Sequence, residues 1–150
     1  MASVVGGYRV RDVMSRFVVT ARPEDTAWTA LELIVSKNVG ALVVVEGFRP
    51  IGIITERDIL RMLLRGGGPE ILLSTLVRDI MTRDPAVCTP ETPLTEVISV
   101  MLERGFRRMP VVKDGLLEGI VTERDCIAAL LKLLTGEDLG EGGAAERSRG

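Results

Sequence analysis

A nine-residue stretch occurs twice in this chain: "GIITERDIL" at 52–60 and "GIVTERDCI" at 119–127, identical at six of the nine positions. The copies belong to a longer register. Asp12 recurs as Asp79, Met14 as Met81, Pro23-Glu24 as Pro90-Glu91 and Thr55 as Thr122, always 67 residues further on. Residues 10–60 therefore overlie 77–127 without a gap. Two copies at so long a period do not make a solenoid. A unit of about 50 residues is marginal by itself and needs a partner surface. The repeat thus predicts an α+β fold: two pseudo-twofold-related β-α-β-β-α units packed through their sheets.

Each copy reads alike. "VRDVM" or "VRDIM" opens it, and a short extended stretch follows, "FVVTA" or "PAVCT". After Pro23 or Pro90 comes an amphipathic helix, with apolar residues at Ala27, Ala30, Leu31, Ile34 and Val35, or at Leu94, Val97, Ile98, Met101 and Leu102. That spacing is the i, i+3, i+4, i+7, i+8 stripe. Two strands and a turn follow, with Asp114-Gly115 a strong hairpin signal in the second copy. A second helix, "ERDILRMLLR" or "ERDCIAALLKLL", closes the unit. The expected boundaries are 8–65 for the first unit, 66–76 for a linker with a helical turn, 77–134 for the second unit, and a Gly-rich, charged flexible tail at 135–150.

Composition narrows the function. The chain of 150 residues carries a formal charge of −2, so no basic field draws nucleic acid. With three Phe, one Tyr and one Trp, a base-stacking platform is not expected. No apolar run reaches the length of a membrane span and the start lacks a secretory core, which fits a cytoplasmic protein. Cys88 and Cys126 form no metal pattern and read as small buried hydrophobes. There is no histidine. The commonest general base and metal ligand is therefore absent, and an enzyme would have to run on carboxylates, Lys or Arg. A non-enzymatic binding protein without metal is the expectation.

The repeated polar tetrad Thr-Glu-Arg-Asp sits where a strand becomes a helix, and two readings compete. In one, Thr is an N-cap and Asp, three residues on, completes a capping box. Asp is short for that box, which prefers Glu or Gln, and capping requires neither middle residue. In the other, the carboxylate accepts both hydroxyls of a ribose, as in dinucleotide-binding folds. Thr then adds a hydroxyl contact and Arg faces a phosphate near the helix mouth. Thr55, Arg57 and Asp58 form one such clamp, and Thr122, Arg124 and Asp125 the other.

The opening "V-R-D-[VI]-M", the central "PVV"-type strand and the twice-written "GI[IV]TERD" resemble a tandem pair of cystathionine-beta-synthase (CBS) domains, the Bateman module, over residues 10–134. The resemblance implies two units packed sheet to sheet. It also implies two pseudo-equivalent sites for adenosine-containing ligands (AMP, ADP, ATP or S-adenosylmethionine) and a sensor role, often in dimers. The family's ribose-binding residues fall on Thr55 and Asp58, and on Thr122 and Asp125. Its phosphate contact falls on Arg107 or Arg108, where the first copy has Gly40 and Ala41. The two sites are therefore expected to be unequal, unless Arg107 and Arg108 are only a solvated pair. Adenine is placed near Thr20 and Ala21 in one copy and near Val87 and Thr89 in the other.

The last helix is apolar nearly all round, at Cys126, Ile127, Ala128, Ala129, Leu130, Leu131, Leu133 and Leu134. Burial on two sides is implied, either by a second chain in a homodimer or by the segment 71–76. Trp28 and Leu33 lie off the first helix's core stripe and join that surface. The leading expectation is a regulatory adenine-nucleotide sensor acting through an unidentified regulated protein. The alternative is a structural homodimerisation scaffold with empty sites, or with S-adenosylmethionine or NADH as ligand.

Overall fold

The computed structural model describes residues 6–136. Of the expected tail, residues 137–150 lie outside the described residues. Residue 135 ends the last helix and Gly136 caps it in the left-handed region at φ 71°.

Two compact units are present, and they cut across the repeats. One is built from residues 18–85. It contains β1 (Thr20–Ala21), α2 (Ala27–Lys37), β2 (Ala41–Glu46), β3 (Arg49–Thr55), α3 (Glu56–Leu64), α4 (Ile71–Ser74), α5 (Val77–Ile80) and β4 (Thr82–Arg83). The other joins residues 6–17, holding α1 (Val10–Val13), to the later part of the chain. That part holds α6 (Leu94–Arg104), β5 (Arg108–Lys113), β6 (Leu116–Thr122) and α7 (Glu123–Thr135). The boundaries expected at 8–65 and 77–134 thus describe the sequence repeats. As packed bodies, the repeats exchange their opening segments.

The exchange is written in backbone hydrogen bonds at matching positions. In the 18–85 unit, Ala27 N–H donates to Thr75 at 2.8 Å, Val77 N–H to Asp25 at 2.7 Å and Arg78 N–H to Pro23 at 3.0 Å. In the other, Leu94 N–H donates to Tyr8 at 2.9 Å, Val10 N–H to Thr92 at 3.0 Å and Arg11 N–H to Pro90 at 2.9 Å. A long helix begins with unsatisfied N–H groups, and here an opening segment supplies the first acceptor. Val10 and Val77 are fully buried plugs in the two cores. Each contributes on the order of 1.5–3 kcal/mol of apolar burial.

The repeated glycine before the tetrad has its reason here. A β-carbon on Gly119 would stand 2.5 Å from the Ser15 carbonyl oxygen, and one on Gly52 would stand 2.5 Å from Met81 Sδ and 3.0 Å from the Thr82 carbonyl oxygen. Ser15 bridges Ile120, and Thr82 pairs with Ile53. The opening segment runs alongside β3 or β6 at the glycine, where a side chain would crowd it.

In the 18–85 unit the sheet runs β1-β2-β3-β4, with β1 parallel to β2 and the rest antiparallel. In the other, β5 and β6 form the hairpin and the extended stretch contributes only the parallel bridge Cys88–Val111. The expected first strand is therefore short in one copy and a single bridge in the other. Both hairpins carry an irregularity at one place, Val44/Val45 and Val111/Val112. The amphipathic helices bury Ala27, Ala30 and Ile34, and Leu94, Val97 and Met101. Val35 and Leu102, assigned to the stripe, are 70% and 78% exposed, so the buried face is narrower than the spacing implied. Leu33 packs against its own unit's core, whereas Trp28 is 42% exposed.

Candidate functional site

The two strand-to-helix junctions are the candidate sites. At the first, Thr55 ends β3 opposite Ala41, the first residue of β2. Glu56 N–H donates to the Gly40 carbonyl at 3.1 Å. At the second, Thr122 ends β6 opposite Arg108, and Glu123 N–H donates to the Arg107 carbonyl at 2.8 Å. The fold therefore brings Arg107 and Arg108 to the mouth of α7, where the other copy has Gly40 and Ala41.

Both capping boxes close. Asp125 Oδ2 accepts the Thr122 N–H at 2.9 Å while the Asp125 N–H donates to Thr122 Oγ1 at 3.1 Å. Asp58 Oδ2 accepts the Thr55 N–H at 2.8 Å and the Thr55 hydroxyl at 3.0 Å, and its own N–H donates to Thr55 Oγ1 at 3.3 Å. The expectation that Asp is too short for the box is corrected. At N3 of a tightly turned first turn, a one-methylene stem reaches back to the cap. The cap bonds from the Thr55 and Thr122 N–H groups fall on Oδ2 of each aspartate, and an ionised carboxylate carries several acceptor sites over its two oxygens. A capping role therefore does not by itself exclude a second one.

Burial separates the members. Asp125 is 5% exposed and is the buried charged residue of the described chain. The Asp58 side chain is 13% exposed, with Arg61 at 3.7 Å from its Oδ1. Arg57 and Arg124, one position before each aspartate, are exposed. Glu123 Oε1 lies 3.9 Å from Arg107 Nε, both groups well exposed. A pair that long and wet contributes little stability. Glu56, its counterpart, faces glycine, so the repeated Glu has a charge partner in only one copy.

The expected adenine positions fall elsewhere on each sheet. Thr20 and Ala21 pair with Val43 and Val44, further along β2 than Thr55's partner Ala41 and on its other edge. Val87 is exposed. The Thr89 N–H donates to Thr92 Oγ1 at 3.0 Å, and the two hydroxyls lie 3.2 Å apart. Sequence reasoning passed over Thr92, although it sits three residues after Thr89 and so repeats the capping spacing. Burial first, then neighbouring charge, pushes the Cys88 thiol up to about 12 and the Cys126 thiol up to about 11. Among the described residues no cluster of three or more His, Cys, Asp or Glu is placed to hold a metal, and no helix is long and apolar enough to cross a membrane.

The family model described as CBS domain matches residues 10–65 and again 77–132. An uncharacterised protein of Methanocaldococcus jannaschii is 39% identical over 122 residues, which is 81% of this chain and 42% of the relative. The mitochondrial CBS domain-containing protein CBSX3 of Arabidopsis thaliana is 38% identical over 113 residues, 72% of this chain and 54% of the relative. The chain therefore spans about half the length of these two relatives. Among solved structures, CBSX2 in complex with AMP superposes with a TM-score of 0.74 at 32% identity, covering 85% of this chain and 99% of that one. The CBS domain pair of protein MJ0100, in complex with 5'-methylthioadenosine and S-adenosylmethionine, gives 0.71 at 26% identity, covering 80% and 97%. Matched twice by one family model and along most of its length by CBS domain proteins, this chain belongs to the CBS domain family and carries two copies of the domain.

Proposed function

We propose that the chain is a regulatory module that binds an adenosine-containing ligand, AMP in the first instance, and passes the signal to a partner protein. One observation carries the reading: an aspartate held by its capping box at each helix mouth, with two arginines on the strand end paired with only one of the junctions. Fixing a carboxylate before the ligand arrives lowers the ordering cost of binding. Asp125 holds the ribose diol in this reading, and Thr122 supports it. Arg107, Arg108 and Arg124 face the phosphate, which replaces Glu123 as the partner of Arg107. Asp58, Thr55 and Arg57 form a weaker site without the paired arginines. Adenine lies along the extended segments at Thr20-Ala21 and Val87-Thr89. The AMP held by CBSX2 and the methylthioadenosine and S-adenosylmethionine held by protein MJ0100 support this ligand class.

Calorimetric titration with AMP, ADP, ATP, S-adenosylmethionine, NADH and 2'-deoxy-AMP tests the proposal. AMP is expected to bind, and 2'-deoxy-AMP to bind about 10- to 150-fold more weakly, the worth of one hydrogen bond to a charged acceptor. Equal affinity for the ribo and deoxy forms excludes the diol contact. Absence of binding by every compound rejects the sensor reading.

A second reading, a homodimerising scaffold, rests on exposed apolar stripes at matching places. Ile127, Leu131 and Leu134 on α7 are 63%, 46% and 72% exposed; Leu60 and Leu64 on α3 are 59% and 89% exposed. A second copy of the chain covering these stripes makes the module a homodimer under either reading. Sedimentation equilibrium giving a monomer mass at micromolar concentration rejects the dimer.

A further inference from the structure

The 18–85 unit has an open groove of about 480 Å³. Its walls include Thr20, Ala21, Arg22, Asp25, Val45 and Phe48, so it adjoins the segment assigned above to adenine, and its volume lies within the range of small-molecule sites. Asp25 is held rigidly. Its Oδ2 accepts the Arg22 N–H at 2.8 Å, its N–H donates to the Arg22 carbonyl at 3.0 Å, and its carbonyl accepts Val77 N–H at 2.7 Å. Arg22, by contrast, makes no side-chain ion pair among the described residues. Phe48 follows Gly47, at φ 66°, on the hairpin tip and is 74% exposed.

The other repeat is an internal control for what the fold alone requires. Sixty-seven residues on, Arg22 becomes Thr89, Asp25 becomes Thr92 and Phe48 becomes Gly115, while Val45 stays valine as Val112. The same turn forms there with a neutral hydroxyl, Thr89 N–H to Thr92 Oγ1 at 3.0 Å. The hairpin keeps its irregularity at the equivalent place. Neither the carboxylate, nor the guanidinium, nor the aromatic ring is needed to build the turn or hairpin. Their joint presence in one copy calls for a ligand.

We infer that this groove binds a small zwitterion with an apolar side chain, the chemistry of a free α-amino acid such as leucine or phenylalanine. One cation and one anion flanking an apolar wall are complementary to it. The ligand carboxylate meets the Arg22 fork, its ammonium meets Asp25, and its side chain covers Val45 and the Phe48 ring. A simple carboxylate is disfavoured by Asp25, and a simple amine by Arg22.

Backbone amide chemical shifts of the nitrogen-15-labelled chain, titrated with L-leucine and L-phenylalanine, provide the test. Saturating shifts confined to residues 20–25 and 45–48 are expected. 4-Methylpentanoate and 3-methylbutylamine, which each lack one charge, are expected to bind at least tenfold more weakly. Arg22→Thr and Phe48→Ser are each expected to abolish saturation by leucine and phenylalanine while AMP still shifts the amides around Thr122 and Asp125 in the second copy. The inference is overturned by no saturable shift up to about 10 mM, beyond the millimolar regime of weak binding. Equal binding of the single-charge analogues overturns it too, as does leucine binding that survives Arg22→Thr. Because the groove shares Thr20 and Ala21 with the adenine position of the first copy, AMP binding at the second copy is the independent readout: its absence rejects the nucleotide proposal and leaves the leucine result standing.

Discussion

At the residue scale the two repeated small residues and the two repeated acids have separable jobs. Gly119→Ala pushes a β-carbon onto a backbone oxygen at 2.5 Å, and a backbone carbonyl cannot swing aside. Gly52→Ala meets first the end of the Met81 side chain, which can turn away. Gly119→Ala is therefore expected to destabilise by about 1–3 kcal/mol and Gly52→Ala by less, read from urea midpoints of the two variants. Thr122→Ala removes the cap of α7 and is expected to cost about 1 kcal/mol. Asp125→Asn preserves an acceptor for the Thr122 N–H but loses the charge. It should leave the unfolding midpoint close to wild type and weaken AMP binding. If Asp125→Asn instead matches wild type in AMP affinity, the aspartate is a cap and nothing more.

At the element scale, α7 carries Cys126 on its buried face, in the same core cluster as Cys88. Both thiols ionise in the folded chain only well above their ordinary value of 9.0. An unfolded chain releases those protons near pH 9, so the native state binds more protons above it. The stabilisation from these two groups is complete below about pH 9 and drains away as pH rises toward 11 and 12. Urea unfolding from pH 7 to 10.5 should show an alkaline loss in wild type that is smaller in the Cys88→Ala/Cys126→Ala variant. Native thiols should also resist dithionitrobenzoate at pH 8 and react once urea is added. Rapid reaction of the folded protein would contradict the burial argument.

At the scale of the whole molecule, the exchanged opening segments decide which pieces of chain can fold. A fragment of residues 18–85 contains α5 and β4, hence Val77 and every acceptor and donor that ties it to Pro23, Asp25 and Ile51. A fragment of residues 8–65 lacks that segment and instead carries α1, whose partners Pro90, Thr92 and Ile120 are missing. Thermal melts followed by circular dichroism should show a cooperative transition for 18–85 and none for 8–65 at low micromolar concentration. The opposite ranking would mean that the repeats, not the packing units, are the folding units.

The repeat, the element order and the identity of the tetrad were legible in the residues because they depend on local periodicity and on pattern copied at one offset. So was the unequal charge at residues 107–108 against 40–41, since strand register carries equal sequence positions to equal places. Three things depended on contacts between residues far apart in the chain. The opening segments pack on the other copy's body because the first N–H groups of α2 and α6 find their acceptors there. Gly52 and Gly119 are glycine because those segments approach them closely. Asp58 and Asp125 reach back to their caps because the strand delivers the chain into the helix at a tight angle. Sequence spacing states which residues are neighbours along an element; only the folded chain states which surfaces meet.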